Sequence, residues 1–157
     1  MENLRTVPRL IIVCGLPGSG KTTHSKLLES KLRAVRFCPD EWMDILEINL
    51  YDGRMRERIE AIQWKLAQDL LALGQTVIIE WGTWGRSERD ALRIGARTLG
   101  AAVELHFLDA PIDVLFERIQ KRDQEVPPIE RGDLLRWAET FDFPSPEETD
   151  LFDMPVA

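Results

Sequence analysis

The sequence is poor in the residues that build soft metal centres, since its 157 residues include only two cysteines and two histidines. A zinc-type site takes about four nitrogen or sulfur ligands, and His24 and His106 add too few to the cysteines to predict one. Cys14 and Cys38 fall at the ends of predicted neighbouring strands. We interpret them as buried free thiols, which is typical of a protein in a reducing cytoplasm.

Long apolar stretches are also lacking. No run approaches the roughly 20 residues that a helix needs to cross a bilayer, so we expect no membrane association. Residues 1–9 precede only a short apolar run and do not have the pattern of a signal peptide. The sequence therefore predicts a cytoplasmic protein.

A surplus of positive charge is the third feature that the sequence lacks. Lys and Arg total 20 against 27 Asp and Glu, which gives a net charge of −7. This balance argues against broad binding to duplex DNA or RNA, but it allows a nucleic-acid end to enter a locally basic pocket. Without repeats, linkers or low-complexity segments, residues 1–157 fit one domain, and we expect a monomer or a homodimer.

Residues 15–22 read G-L-P-G-S-G-K-T and match the P-loop pattern G-x-x-x-x-G-K-[ST]. The glycines let backbone N–H groups approach phosphate oxygens, Lys21 would reach the β- and γ-phosphates, and the Thr22 hydroxyl would bind Mg²⁺. The motif predicts a site for a nucleoside triphosphate with Mg²⁺. Its expected contacts are Gly15, Pro17, Gly18, Ser19, Gly20, Lys21, Thr22 and Thr23.

The P-loop lies between a predicted strand and a predicted helix. Leu10–Cys14 is a continuous apolar run, typical of a strand buried on both faces of a parallel sheet. The segment after the loop carries Leu27, Leu28 and Leu32 at helical spacing. Strand and helix patterns then alternate along the chain. They predict an α/β protein with the P-loop NTPase fold, in which helices flank a parallel sheet on both faces.

Further strands are predicted at Ala34–Cys38, Thr76–Glu80 and Ala102–Leu108, with a weaker fifth at Leu151–Val156. Helices are predicted over about residues 40–50, 55–73, 87–99 and 111–122, and the acidic, proline-rich tail is expected to be less regular. The helix over 55–73 carries apolar residues at Ile59, Ile62, Leu66, Leu70 and Leu73, which we assign to its buried face.

Two acidic residues follow predicted strands, Asp40 after the second and Glu80 at the end of the third. Because ligands of open α/β sheets bind at the carboxyl ends of strands, we expect both near the P-loop. Asp40 is a candidate general base, an Mg²⁺ ligand through water, or a helix N-cap, and Glu41 is the neighbour to test next. Glu80 has the Walker-B position and is a candidate to bind Mg²⁺ or the acceptor's hydroxyls.

The loop after Glu80 contains Trp81 and Trp84 among glycines. The two indoles are candidates for an aromatic wall that binds the phosphoryl acceptor, or they close the top edge of the domain by packing. Arg86 and Arg89 follow as candidates to clamp an anionic acceptor group. The alternative for both arginines is a solvated helix surface, which the mixed charges around Arg89 favour.

Arg118 and Arg122 lie four residues apart, on one face of a predicted helix. The chain then breaks at residues 126–128, which read V-P-P. Arginines placed there can neutralise charge on a transferring phosphoryl group and help to exclude water, and Arg131 is a third candidate. The alternative is an ordinary helix with ion pairs such as Glu117–Lys121.

In these motifs the chain resembles small P-loop kinases and AAA_33-type ATP-binding proteins, including polynucleotide kinase, zeta toxins and chloramphenicol phosphotransferase. The shared features are the P-loop after strand one, Asp40 after strand two, an acid ending strand three, and late arginines in the helix after strand four. Residues 141–148 resemble the Phe-x-x-Pro tail segment of ATP-binding members. The resemblance implies ATP and Mg²⁺ as cofactors, a lid at about residues 120–133 as in nucleoside monophosphate kinases, Asp40 as general base and Arg122 as a lid arginine.

The leading functional hypothesis is a kinase that transfers the γ-phosphoryl group of ATP to a hydroxyl of a small molecule. One alternative acceptor is the 5′-hydroxyl end of a polynucleotide. The acidic composition argues against it, and so does Glu80-Trp81-Gly82, which replaces the Asp-x-Thr-Asn type of sequence common in the kinase relatives. The other alternative is a nucleotide-dependent switch or binding protein that hydrolyses ATP slowly.

Overall fold

A computed structural model describes residues 7–157 of the chain. Its four parallel strands form one sheet in the order β2-β3-β1-β4. They are β1 Arg9–Cys14, β2 Val35–Phe37, β3 Thr76–Gly82 and β4 Ala102–Phe107. The helices are α1 Lys21–Leu32, α2 Pro39–Ile45, α3 Gly53–Ala72, α4 Arg86–Thr98, α5 Ile112–Arg122, α6 Arg131–Thr140 and α7 Pro146–Thr149.

Helices cover both faces of the sheet, because alternate side chains of a strand point to opposite faces. In β1, Leu10 and Ile12 pack with side chains of α3 and α4. Ile11 and Val13 pack instead with Leu28 of α1. The predicted α/β P-loop fold with helices on both faces is therefore confirmed. No helix within residues 7–157 is long and apolar enough to span a bilayer.

The strand order changes one prediction about the cysteines. Cys14 and Cys38 are buried free thiols, as expected. Their strands are not neighbours, however, because β3 lies between β1 and β2. Both strands pair with β3 in parallel register. Consecutive strands in a doubly wound sheet need not be adjacent, and local sequence patterns do not specify the crossover.

The predicted fifth strand does not form in the described part of the chain, and its segment is a turn followed by irregular chain. Asp153 nevertheless closes the free edge of β4. Its backbone N–H donates to the Val103 carbonyl at 2.8 Å, and its Oδ2 accepts from the Val103 N–H at 2.7 Å. A carboxylate that takes the place of a strand can satisfy an exposed sheet edge while blocking further pairing.

The buried face of α3 differs from the predicted one. Ile59, Gln63, Ala67 and Leu71 face the core at a spacing of four residues. Of the five side chains predicted to lie there, Ile59 is buried and Leu70 packs partly buried against the core, whereas Ile62, Leu66 and Leu73 are 54%, 42% and 74% exposed. Burial of the polar Gln63 side chain is offset by a hydrogen bond, in which its Oε1 accepts from the Trp81 indole N–H at 2.8 Å. A polar residue with a buried partner therefore shifted the face away from the most apolar stripe.

The acidic tail is more regular than predicted, since it forms α6 and α7 and holds Arg89. This arginine is fully buried, and its Nε lies 2.6 Å from Oε1 of the buried Glu148. It also donates to the carbonyls of Thr83 and Asp142 at 2.8 and 2.6 Å. Both predictions for Arg89 were wrong, because it neither lies on a solvated surface nor is free to clamp an acceptor. Four hydrogen bonds from its guanidinium join the tail to Thr83, the residue after β3.

We predict that Glu148→Ala destabilises the protein by about 3–5 kcal/mol, because it leaves the buried Arg89 charge without a counter-charge. Urea unfolding measures the effect, and Glu147→Ala is the matched control, since the neighbouring Glu147 side chain is exposed. The control is expected to change the unfolding free energy by less than about 0.5 kcal/mol. Equal stabilities of the two variants would contradict this role of the ion pair.

Candidate active site

The P-loop connects β1 to α1 with backbone conformations that favour glycine. Gly18 has φ +81°, and a Cβ there would come within 2.6 Å of the Leu115 carbonyl oxygen in α5. Gly20, the N-cap of α1, has φ +95°. These glycines let the loop pack against α5 and turn into the helix, whose N-terminus carries a partial positive charge. The loop thus has the form of a phosphate-binding site.

Lys21 is folded back onto the P-loop. Its Nζ donates to the carbonyls of Gly15 and Leu16 at 2.9 and 3.0 Å. Burial lowers the pKa of the Lys21 ammonium to about 8, and the nearby carboxylates of Glu80 and Asp40 partly oppose this shift. A phosphate group would supply the missing negative charge, so the site favours an anionic ligand.

The buried carboxylate of Glu80 is held by donors from three other elements. Its Oε2 accepts from the Thr22 hydroxyl at 2.7 Å and from the Cys38 thiol at 3.3 Å, and its Oε1 accepts from Arg36 Nη1 at 2.9 Å. Arg36 also bonds Glu41 at 2.5 Å. Sequence reasoning missed Arg36, because an arginine in a short strand gives no local sign of where its guanidinium lies.

The pair of Thr22 and Glu80 fits Mg²⁺, because this ion prefers oxygen ligands and takes one or two from a protein, with the rest from phosphates and water. In residues 7–157 no cluster of three or more His, Cys, Asp or Glu side chains forms a metal site. The Thr22 hydroxyl can donate its hydrogen to Glu80 and still offer an oxygen lone pair to the ion. The predicted metal ligands are therefore brought together, and their role remains a prediction.

Asp40 lies in the first turn of α2, with Cys38 at the N-cap position and Pro39 at the first helical position. It is therefore not the N-cap, one of the three roles considered for it. Its carboxylate is 60% exposed, and Oδ1 accepts from Arg56 Nη2 at 2.5 Å. Arg56 lies in α3 and also donates to the Leu50 carbonyl at 3.1 Å. Packing of α2 against α3 thus positions Asp40, and no local sequence pattern indicates Arg56 as its partner.

A cavity of about 820 Å³ joins these groups. Of the predicted site residues, it is lined by Pro17, Gly18, Gly20, Lys21, Thr22, Thr23, Asp40, Glu80, Trp81, Trp84, Arg118 and Arg122. Gly15 and Ser19 are buried within the loop itself. Arg86, the first residue of α4, does not belong to the lining. Its Nε lies 3.5 Å from the Asp90 carboxylate.

The two tryptophans pack against their neighbours and also line the cavity, and their binding of an acceptor remains a prediction. Trp81 packs against the core beside α3, and Trp84 lies 5.9 Å from the ring of Trp137 and 6.1 Å from that of Phe141. Each also presents part of its surface to the cavity. The indoles therefore close the top of the domain and form a wall of the candidate site.

The arginines of α5 also line the cavity. Arg118 Nη1 donates to the Gly18 carbonyl at 3.1 Å, and Arg122 pairs with Glu125. Arg131, the first residue of α6, instead pairs with Asp113 of α5. The segment between α5 and α6 forms the expected lid position, where the Tyr51 hydroxyl donates to the Pro127 carbonyl at 2.7 Å. The Glu117–Lys121 pair also exists, at 3.0 Å on the outer surface of α5.

We predict that nucleotide binding takes up a proton above pH 8. The pKa of Lys21 is about 8 without ligand, and phosphate charges raise it, so Lys21 gains its proton on binding and affinity falls as pH rises. Calorimetry of ATP binding at pH 8.5, in buffers of different ionisation enthalpy, measures the uptake. In Lys21→Arg the guanidinium stays charged at this pH, so this variant is expected to show no proton uptake from this position. Equal uptake in both proteins would overturn the prediction.

Comparisons with known proteins agree with this fold. The structure of the Pnkp1/Rnl/Hen1 RNA repair complex contains a similar chain, with a TM-score of 0.71 and 22% identity over 99% of this chain and 50% of that one. A putative kinase from Chloroflexus aurantiacus matches with a TM-score of 0.68 and 27% identity, over 88% of this chain and 79% of that one. A gluconokinase from Sinorhizobium meliloti matches with a TM-score of 0.62 and 24% identity, over 91% of this chain and 80% of that one.

The chain spans about half the length of the RNA repair protein that it matches. Among curated proteins, none matches the sequence. A family model described as an AAA domain, AAA_33, matches residues 10–144. This match covers most of the chain, which carries an intact P-loop between β1 and α1. The protein therefore belongs to the AAA_33 family and has the fold of the small P-loop kinases.

Proposed function

We propose that the protein transfers the γ-phosphoryl group of ATP to a hydroxyl of a small molecule, with Asp40 as the general base. The observation that carries the proposal is one cavity lined by the P-loop, Asp40, Glu80 and two α5 arginines. Kinases need these groups together, because phosphoryl transfer depends on positioning and on stabilising charge. The likeness to a putative kinase at 27% identity supports the same reaction class.

In the proposed reaction, the acceptor oxygen forms a bond to the γ-phosphorus while the bond from that phosphorus to the bridging oxygen of ADP breaks. The acceptor's hydroxyl proton passes to a carboxylate oxygen of Asp40. The Arg56 hydrogen bond to Oδ1 leaves Oδ2 without a protein partner within residues 7–157 and orients it for this transfer.

Charge on the transferring group requires cations on several sides. Lys21, Arg118 and Arg122 line the cavity near the P-loop and are the groups that we assign to this role. Mg²⁺ held by Thr22 and Glu80 would further neutralise the phosphate oxygens. The lid segment and the indole of Trp84 would restrict the access of water, which favours transfer over hydrolysis.

A polynucleotide acceptor is the second candidate, because a chain in an RNA repair complex shares the fold. That likeness, at 22% identity, concerns the fold alone. The cavity counts against a polyanion, since its lining holds more carboxylates than cations. Transfer of labelled phosphoryl from ATP is measured with pooled sugars, nucleosides and 5′-hydroxyl oligonucleotides, and the pool that gains label separates the two candidates. Release of labelled phosphate alone would favour a nucleotide-dependent switch that hydrolyses ATP slowly.

We predict that Asp40→Asn lowers kcat by about 10²–10⁴-fold, because the amide cannot accept the hydroxyl proton. The Kd for ATP is expected to stay unchanged. Asp44→Asn is the matched control, since Asp44 lies one turn further along α2 with an exposed side chain, and it is expected to retain activity. Normal transfer by Asp40→Asn would refute the base assignment, and a parallel loss of ATP affinity would make Asp40 part of the nucleotide site.

A further inference from the structure

The cavity carries charges of both signs. Its basic lining residues are Lys21, Arg56 of α3, and Arg118 and Arg122 of α5. Its acidic lining residues are Asp40, Glu57, Glu60, Glu80, Glu88 and Glu125. We call Glu57 and Glu60 of α3 and Glu88 of α4 the acidic wall, because the proposed reaction assigns these three side chains no role.

No ion pair neutralises the acidic wall. In the part of the chain that the structure describes, the side chains of Glu57, Glu60 and Glu88 form no hydrogen bond and no ion pair within 4.0 Å. Arg56 lowers the pKa of Glu60, and Arg89 lowers that of Glu88. Arg56, which also lines the cavity, is bonded to Asp40 at 2.5 Å, and Arg89 is bonded to Glu148 at 2.6 Å. Each guanidinium is paired with another carboxylate and therefore offsets the charge of the wall only in part.

The members of the acidic wall differ in exposure, since Glu60 is half-buried whereas Glu57 and Glu88 are exposed. Burial raises the pKa of Glu60 to about 7, and the charges of Glu88, Glu57 and Asp40 add to the shift, which Arg56 partly offsets. Burial also raises the pKa of Glu88. An unpaired carboxylate that is partly withdrawn from water costs the folded protein free energy, so Glu60 is the member of the wall that a bound cation would stabilise most.

Two independent features of the same cavity also point to a ligand. Thr83 is 2% exposed, and apart from the Cys14 thiol, a weak hydrogen-bonding group, its hydroxyl has no partner. Its backbone is held at φ +41°, a left-handed conformation that is costly for a β-branched residue. Trp81 and Trp84 add indole faces, which attract cations as well as apolar groups.

We propose that the acceptor is a hydroxyl compound that carries a protonated amine, such as an amino sugar or an amino alcohol, and that the acidic wall binds its ammonium group. The inference rests on the proposed function and names its substrate class. Carboxylates bind ammonium groups by charge-assisted hydrogen bonds, and they repel anionic acceptors such as sugar acids and nucleic-acid ends. The indoles and the Thr83 hydroxyl would hold the rest of the molecule.

Matched acceptors test the inference. Transfer of labelled phosphoryl from ATP is measured for glucosamine, glucose and gluconate, and for an aminoglycoside against an uncharged disaccharide. We expect kcat/KM to be at least about tenfold higher for the amine-bearing member of each set, in line with the loss of one charge-assisted contact. Transfer mainly to the neutral or anionic members would overturn it.

The variants Glu60→Gln and Glu88→Gln test whether the acidic wall causes the preference for amine-bearing acceptors. Each is expected to raise KM for the amine-bearing acceptor about tenfold or more and to leave its KM for ATP unchanged. Glu139→Gln, an exposed residue of α6, is the matched control and is expected to behave as the wild type. An unchanged amine preference in both wall variants would overturn the assignment.

Direct binding separates failure of this inference from failure of the proposed function. If no compound is phosphorylated, calorimetry with the same aminoglycoside and disaccharide still tests the wall. Amine binding that both wall variants weaken would support an ammonium-binding site and refute the proposed phosphoryl transfer. Phosphoryl transfer without any amine preference would support the proposed function and refute the ammonium-binding site. Absence of both transfer and amine binding would refute both proposals.

The pH dependence of stability gives a readout that needs no acceptor. Because the folded-state pKa of Glu60 lies above its unfolded value, its contribution to stability is present below about pH 4.5 and is lost as pH rises through about 7. Glu60→Gln is therefore expected to be more stable than the wild type at pH 8 and similar to it near pH 5. Urea unfolding at both pH values checks this, with Glu139→Gln as control, and equal stabilities at pH 8 would contradict an unpaired, strained Glu60.

Discussion

The buried carboxylate of Glu80 is the interaction on which the candidate site depends. It stands at the end of β3, the strand between β1 and β2, and it accepts hydrogen bonds from Thr22, Arg36 and Cys38. An ionised carboxylate in this position would be very costly without these donors. The same bonds join the start of α1 to the end of β2, so the P-loop helix and the segment that carries Asp40 are positioned by one group.

The ends of the parallel strands explain why the candidate groups meet. The P-loop follows β1, α2 with Asp40 follows β2, and the tryptophan loop follows β3. Since these strands run in the same direction, all three segments leave the sheet at one edge. The helices then add charges of both signs, since α5 brings two arginines, α4 brings Glu88, and α3 brings Arg56 with two glutamates.

Several polar side chains of this domain serve stability rather than the site, and they are hard to tell apart in the sequence. Arg86 and Arg89 stand three residues apart in the same helix, yet Arg89 is fully buried against Glu148 and Arg86 lies near Asp90 at the surface. The partner of Arg89 comes from a helix almost sixty residues later. Gln63 is similar, since its burial depends on the indole of Trp81 in another element. Such pairs form only when distant segments pack together.

The sequence by itself determined the P-loop, the alternation of strands and helices, and the acids at the strand ends. Those features depend on local patterns, namely glycine spacing, apolar runs and the direction of parallel strands. Only the tertiary structure decided that β3 separates β1 from β2, that Arg56 bonds Asp40, that Arg36 holds Glu80, and that Glu57, Glu60 and Glu88 share one cavity. The physical reason is that burial and charge pairing are properties of neighbours in space, and a helix does not encode which of its faces another element will cover.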